Sequence, residues 1–127
     1  MTTPTPTPAA VTPREVAAVL EDAARIIKTN GWYQGQYYDF DQAESGTPIR
    51  ECRVCLVGAI NIAADGDPYP SLWDVSDKVV DACAAVRTCL LTDGEPPVLA
   101  DWNDAPDRTA TDVVTLLRDT ARVMSRP

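Results

Sequence analysis

Apolar residues are densest near the middle of the chain, in the run CRVCLVGAINIAA over Cys52–Ala64. After Val54 only Gly58 and Asn61 interrupt this run, and it ends at the turn sequence DGDP. It is too short to span a bilayer, which takes about 20 apolar residues, and too long for an ordinary strand of about five or six residues. Its alanines favour a helix, and a helix that is apolar on all sides must be buried on all sides. The pattern therefore predicts a buried central helix over Cys52–Ala64.

Two amphipathic segments on either side of this run predict further helices. The sequence TPRE at positions 12–15 combines an N-cap, a proline at the first helical position and a capping-box glutamate. The first helix should therefore cover Pro13–Thr29. The next helix, downstream of the central run, should be capped by Asp74 or Ser76 and should end at Gly94.

A last helix is predicted from the capping-box sequence TATD, which begins at Thr109. Between the first and central helices, aromatic residues and glycines crowd into Trp32–Arg50, a composition compatible with a short β-hairpin or a packed loop. The chain is thus predicted to be mainly α, and α+β if the hairpin forms. We expect one compact four-helix domain over residues 12–127, built around the central helix and preceded by a disordered Thr/Pro tail over residues 1–11.

Two residues of the central run need a physical reason. A mid-helix glycine costs about 1 kcal/mol relative to alanine, so Gly58 predicts the close approach of another backbone, which the missing Cβ permits. The amide of Asn61 needs hydrogen-bond partners if it is buried. Asn61 could serve as a structural amide that holds a loop, or as a ligand-facing amide on the floor of a pocket.

The charge balance limits the class of partner. With 11 basic and 19 acidic residues, the chain has a formal net charge of −8. Direct nucleic-acid binding needs a basic face, and anionic membrane surfaces attract basic proteins. We expect neither kind of partner, whereas a basic protein partner would suit this charge. No signal peptide or membrane-spanning segment is evident, so we expect a cytoplasmic protein.

The absence of histidine restricts the possible chemistry. Cys–His and Ser–His–Asp catalysis cannot be built from this chain alone. Cys52 and Cys55 have the spacing of half a zinc site or of a redox pair. Cys83 and Cys89 would point about 120° apart on a helix, a poor arrangement for a shared metal ion. We therefore expect reduced, packed cysteines with no metal and no cofactor.

The sequence Trp102-Asn103-Asp104 lies just before the last predicted helix. Trp102 is expected to insert into the core beside Gly58 and to anchor a loop, because a large aromatic side chain is costly to expose. Asn103 and Asp104 are expected to cap backbone groups in the following turn. The alternative is a polar binding site built from Asn103, Asp104 and Arg108.

Three short motifs occur in a fixed order along the chain. They are GWxxG from Gly31, CLVGAI from Cys55 and WND from Trp102, the last followed by Pro106, Arg108 and Thr109. This set resembles a family of small proteins of unknown function from actinobacteria and their phages, over about residues 12–124. Cys55 matches the cysteine of that family, whereas the other cysteines lie outside its pattern, which weighs further against zinc. The resemblance implies a compact cytoplasmic protein that a phage could encode, and it brings no activity with it.

These observations favour a non-enzymatic protein–protein interaction module, one that acts on a host protein if it is phage-encoded. The alternative is a small enzyme or ligand-binding protein with a polar site at Cys55, Asn61, Asn103 and Asp104. No catalytic residue or metal ligand is assigned. The candidate binding residues are Trp102, Asn103, Asp104, Arg108, Asn61 and Cys55.

Overall fold

Four long helices, two short helices and one 3₁₀ turn make up the regular structure of the described residues. The computed structural model describes residues 10–68, 75–91 and 94–126. Its elements are α1 (Pro13–Asn30), α2 (Phe40–Glu44), the 3₁₀ turn Ile49–Glu51, α3 (Leu56–Asp65), α4 (Asp77–Cys89), α5 (Leu99–Asn103) and α6 (Ala110–Met124). The prediction of a mainly α fold is confirmed. Within the described ranges, no helix is long and apolar enough to cross a membrane.

Side-chain caps set the start of the long helices. The Thr12 hydroxyl accepts a hydrogen bond from the Glu15 amide at 3.1 Å, and Thr109 and Asp112 form a reciprocal capping box. The predicted starts of the first and last helices are therefore confirmed. Each cap satisfies amides that have no partner within the helix.

The boundaries of α4 differ in part from the prediction. Ser76 caps α4 by accepting a hydrogen bond from the Val79 amide at 3.3 Å, while Asp74, the other predicted cap, lies outside the described residues. The helix ends at Cys89 rather than at Gly94. The last turn tightens at this point, because the Leu90 and Leu91 amides bond to carbonyls three residues back, those of Arg87 and Thr88.

The core lies where α1 packs against α6, α3 and α4, and α5 packs against α3. Its largest fully buried aliphatic side chains come from most of these elements and from the segment before α3. They are Leu20, Val54, Leu56, Ile60, Val86, Val113 and Leu117. Val11, the last residue of the predicted tail, packs against this core. Residues 1–9 of the predicted tail lie outside the described part of the chain.

The central apolar run is helical only from Leu56 onward, so the prediction that its helix starts at Cys52 is wrong. Residues 52–55 are extended because backbone pairing holds them. The Val54 amide donates to the Gly31 carbonyl at 3.1 Å, and the Val54 carbonyl accepts from the Tyr33 amide at 3.0 Å. α3 is also less enclosed than predicted, since Val57 is only half-buried.

The segment 31–39 wraps around Val54 instead of forming the hairpin considered above. Val54 makes a parallel bridge with Trp32 and an antiparallel bridge with Tyr38. Asp39 then ends the wrap: one oxygen caps α2, and the other accepts two hydrogen bonds from Arg53, at 2.6 and 3.1 Å. The cap on the Gln42 amide and the contact with Arg53 lower the pKa of Asp39. Extended pairing here runs between distant segments, so it gives bridges and not a local hairpin.

Gly58 lies where this wrap crosses α3. A Cβ at Gly58 would lie 2.2 Å from the carbonyl oxygen of Tyr37, a contact that real Cβ atoms do not make. The same carbonyl accepts a hydrogen bond from the Cys55 amide at 3.2 Å. The prediction that Gly58 allows another backbone to approach is therefore confirmed, and the backbone is that of Tyr37.

Gly58→Ala should destabilise the protein by about 1–3 kcal/mol, the cost of overpacking a rigid contact. The sign is diagnostic, because a glycine-to-alanine change inside an unobstructed helix stabilises it by about 1 kcal/mol. Urea unfolding of Gly58→Ala measures the change, and Ala18→Gly on the exposed side of α1 calibrates helix propensity. A more stable Gly58→Ala protein would show that the Tyr37 carbonyl does not press on α3.

Candidate functional site

The Trp-Asn-Asp sequence forms the end of a short helix and not the predicted loop. α5 closes at Asn103, and Asp104 is its C-terminal cap. Trp102 is only half-buried at the edge of the core, whereas Asn103 is fully buried. The prediction that Trp102 is the anchor beside Gly58 is therefore wrong. The Asn103 side chain occupies the buried position, and the Trp102 ring lies at the edge of the core, partly exposed.

The carboxamide of Asn103 joins three segments of the chain. Its oxygen accepts hydrogen bonds from the indole Nε1 of Trp32 at 2.7 Å and from the backbone amide of Leu56 at 3.0 Å. Its nitrogen donates to the Tyr33 carbonyl at 3.1 Å and to Asp104 at 3.0 Å. A carboxamide offers two donor and two acceptor positions, and here all four are occupied. Asn103 thereby caps the N-terminus of α3 from a distant part of the sequence.

Neighbouring polar groups tie the same segments together. The Gln34 side-chain amide donates to the carbonyls of Asn103 and Ala105, each at 3.1 Å. One oxygen of Asp104 accepts from the Gly35 amide at 2.9 Å in addition to its bond from Asn103. The segment after α1 is therefore fixed to the end of α5 by side chains from both sides.

Trp102 and Arg108 form a separate pair beside this network. The Arg108 guanidinium lies 3.8 Å from the centroid of the Trp102 ring, and its Nε donates to the Trp102 carbonyl at 2.9 Å. A cation over an indole face is a favourable contact. Arg108 is therefore committed to covering Trp102 and does not join Asn103 and Asp104 in one polar site.

A small cleft of about 150 Å³ opens beside Asn103, between the wrapped segment, α3 and α5. We call it the Cys55 cleft. It is lined by Gly35, Gln36, Tyr37, Cys55, Val57, Ala100, Asn103 and Asp104. Three predicted site residues, Cys55, Asn103 and Asp104, thus converge here from two distant motifs.

Cys55 is the N-cap residue of α3 and is buried. Its sulfur accepts a hydrogen bond from the Gly58 amide at 3.3 Å. Burial raises the pKa of the Cys55 thiol, and the negative charge of Asp104 raises it further, against the lowering effect of the α3 amides. Since the ordinary thiol pKa already lies above neutrality, Cys55 is protonated at neutral pH and is a weak nucleophile.

The other cysteines are dispersed. Cys52 is buried on the extended segment before α3, where its thiol donates to the Pro48 carbonyl at 3.4 Å. Cys83 is half-buried in α4, where burial raises its pKa to about 11, and Cys89 is exposed. Within the described residues, no three cysteine, aspartate or glutamate side chains lie close enough together to hold a metal ion.

Asn61 lies apart from the Cys55 cleft. It is buried, and its nitrogen donates to the Pro68 carbonyl at 3.1 Å, which holds the turn after α3. This contact matches the structural role considered for Asn61. Its oxygen is buried and has no hydrogen-bond partner.

The sequence reasoning missed the residues that complete the network. Trp32, Gln34, Gly35 and Tyr37 supply the contacts to α3 and α5 described above, whereas the sequence pattern predicts only an aromatic loop or hairpin in this segment. The GWxxG motif was the available signal, because it contains both the indole that bonds to Asn103 and the glycine whose amide bonds to Asp104.

The fold and the site define a small helical protein in which a buried asparagine joins a GWxxG segment to the N-terminus of a central helix. The family of unknown function DUF6197 matches residues 11–123, and the chain belongs to this family. No curated protein and no solved structure matches the chain.

Asn103→Ala should lower the free energy of unfolding by about 3 kcal/mol or more, because it leaves the buried Leu56 amide, the half-buried Trp32 indole and the Tyr33 carbonyl without their partner. Each such group costs about 1–3 kcal/mol. Asn30→Ala is the matched control, since Asn30 is less buried and its nitrogen makes one bond, to the Arg50 carbonyl at 2.8 Å. That control should lose about 1 kcal/mol or less. Equal losses in the two variants, measured by urea unfolding, would contradict the central role of Asn103.

Iodoacetamide at pH 7 should modify Cys89 well before Cys55, because Cys89 is exposed whereas Cys55 is buried and has a raised pKa. Peptide mass spectrometry over a time course measures the order of labelling. Cys89→Ser removes the fast site and leaves the slow labelling of Cys55 to be timed alone. Labelling of Cys55 before Cys89 would mean that the Cys55 thiol is activated, and it would support the alternative of a small enzyme.

Proposed function

We propose that this protein is a non-enzymatic protein–protein interaction module and that the Cys55 cleft is where it recognises its partner. The observation that carries the proposal is a shallow, mostly apolar cleft with one carboxylate, Asp104, exposed at its rim and a protonated thiol inside. Such a cleft offers binding surface without an activated nucleophile.

The size of the cleft favours a side chain over a free small molecule. Small-molecule sites commonly occupy about 300–1,000 Å³, and the Cys55 cleft has about 150 Å³. A lysine or arginine of a partner would fit it well, with its aliphatic stem against Val57 and Ala100 and its charged end near Asp104. The net charge of −8 favours approach of a basic surface.

The setting of this interaction is part of the proposal. We place the protein in the cytoplasm of an actinobacterium, encoded by the cell or by an infecting phage, with a host protein as its partner. The support is the acidic composition, which suits neither nucleic acid nor an anionic membrane, together with the order of the GWxxG, CLVGAI and WND motifs.

A small enzyme or ligand-binding protein is the second candidate. The convergence of Cys55, Asn103 and Asp104 on one cleft favours it. Against it, Asn103 already makes four hydrogen bonds, and Asn61 lies elsewhere. Burial, and to a smaller extent the charge of Asp104, raises the pKa of the Cys55 thiol, so the thiol is not activated. A binding role therefore uses these residues more fully than a catalytic one.

Ala100→Trp tests the proposal, because Ala100 is exposed and lines the cleft, so the indole should fill the cleft without entering the core. Tagged protein would capture partners from an actinobacterial lysate, and a captured partner would be purified and titrated by calorimetry. The expected loss of affinity is about tenfold or more, typical of blocking a central contact.

Ala18→Trp is the control, since it adds the same ring to the exposed side of α1. It should bind the partner like the unmodified protein. A partner that binds Ala100→Trp as tightly as Ala18→Trp would place recognition elsewhere on the protein.

A further inference from the structure

A second cavity, of about 430 Å³, lies between the C-terminal end of α1 and the first half of α6. We call it the Lys28–Arg118 cavity. Its apolar lining includes Ile27, Trp32 and Val114, and its polar lining includes the two cations together with Thr111 and Thr115. Its volume falls in the range of about 300–1,000 Å³ that is usual for small-molecule sites, unlike that of the Cys55 cleft.

Lys28 and Arg118 place two positive charges in one cavity of a chain whose net charge is −8. Within the described part of the chain, ion pairs occupy Arg25, Arg53 and Arg122, but none involves Lys28 or Arg118. Arg118 is half-buried and Lys28 is exposed, and both line the cavity without a carboxylate partner. An unpaired cation in such a position gains from an anion that binds beside it.

Other described cavities of similar size do not share this feature. The cavity of about 350 Å³ beside Val16 and Val123 has Asp81 as its charged lining residue. The cavity of about 330 Å³ beside Tyr33 contains Arg53, which is already paired with Asp39. Unpaired positive charge therefore distinguishes the Lys28–Arg118 cavity.

Trp32 gives the cavity a fixed aromatic wall. Its indole nitrogen donates to Asn103, so the ring is held in place before any ligand arrives. Ile27 is buried, and Val114 is half-buried beside it. A planar apolar group can lie against such a wall at little entropic cost.

We propose that the Lys28–Arg118 cavity binds a small organic anion: a planar apolar body against Trp32 and Val114, with a phosphate or carboxylate group held by Lys28 and Arg118. The hydroxyls of Thr111 and Thr115 can donate to the same anionic group.

The probes are 1-naphthyl phosphate, 1-naphthoate and the neutral 1-naphthalenemethanol, each titrated by calorimetry into the full chain. Both anions, or one of them, should bind about tenfold or more tightly than the neutral compound, because the charged group adds contacts to the cations. The ranking of phosphate and carboxylate tells which anionic group the cavity prefers. Equal affinity for all three compounds would overturn the proposal.

The double variant Lys28→Gln/Arg118→Gln should weaken anion binding by about tenfold or more. Lys78→Gln/Arg87→Gln, in exposed positions on α4, makes the same change in net charge and should alter affinity by about twofold or less. Equal losses in both double variants would reduce the effect to net charge and would overturn the proposal.

Thr115→Glu provides an independent variant, because it places a carboxylate at an exposed position in the cavity. It should abolish anion binding and spare binding of the neutral compound.

In nuclear magnetic resonance spectra of unmodified protein, the anion should shift the Trp32 indole signal. Ala100→Trp should leave the titration unchanged, which separates this site from the Cys55 cleft. Anion binding that survives in Thr115→Glu, or an unshifted Trp32 signal, would overturn the assignment.

Discussion

The structure depends on the need of one buried amide for four hydrogen-bond partners. A carboxamide removed from water is costly unless its donors and acceptors are satisfied. Asn103 meets that condition only if Trp32, Tyr33 and Leu56 are all in place. The bonds to Trp32 and Leu56 join residues 71 and 47 positions apart in the sequence. One side chain thus fixes the relative positions of the GWxxG segment, α3 and α5.

The wrap of residues 31–39 around Val54 is the second constraint, and it fixes the same GWxxG segment against α3. Val54 bonds to the backbone of Gly31 and Tyr33 on one side, and its neighbours Arg53 and Cys55 bond to the backbone of residues 37–39 on the other. The Tyr37 carbonyl also rests on Gly58. The side-chain network and the backbone wrap therefore meet at the N-terminus of α3. The Cys55 cleft lies at this junction, which explains why residues of separate motifs line one small depression on a rigid scaffold.

The parts of the fold that local chemistry determines could be predicted from the sequence. Thr12, Ser76 and Thr109 signal helix starts because each bonds to an amide three residues away. Gly58 could be interpreted because a mid-helix glycine needs a reason. By contrast, the extended form of Cys52–Cys55 depends on pairing with residues 31–39, which no local preference reveals. For the site, side-chain size predicts that Trp102 is buried, whereas in the structure Asn103 is buried because its four hydrogen bonds are satisfied there.

The wrap around Val54 also bears on the order in which the protein folds. The hydrogen bonds inside helices α1 and α6 join near neighbours along the chain, so these helices can begin to form before they pack against each other. The wrap, by contrast, gains its hydrogen bonds only after residues 31–39 have met both residues 53–55 and residues 103–104. The segment 31–39 should therefore be the last part to settle and the first to open, as one cooperative unit of lower local stability. Because Trp32 and Tyr37 both belong to that unit, such an opening would dismantle the Cys55 cleft and the Lys28–Arg118 cavity together while the helical core stays closed.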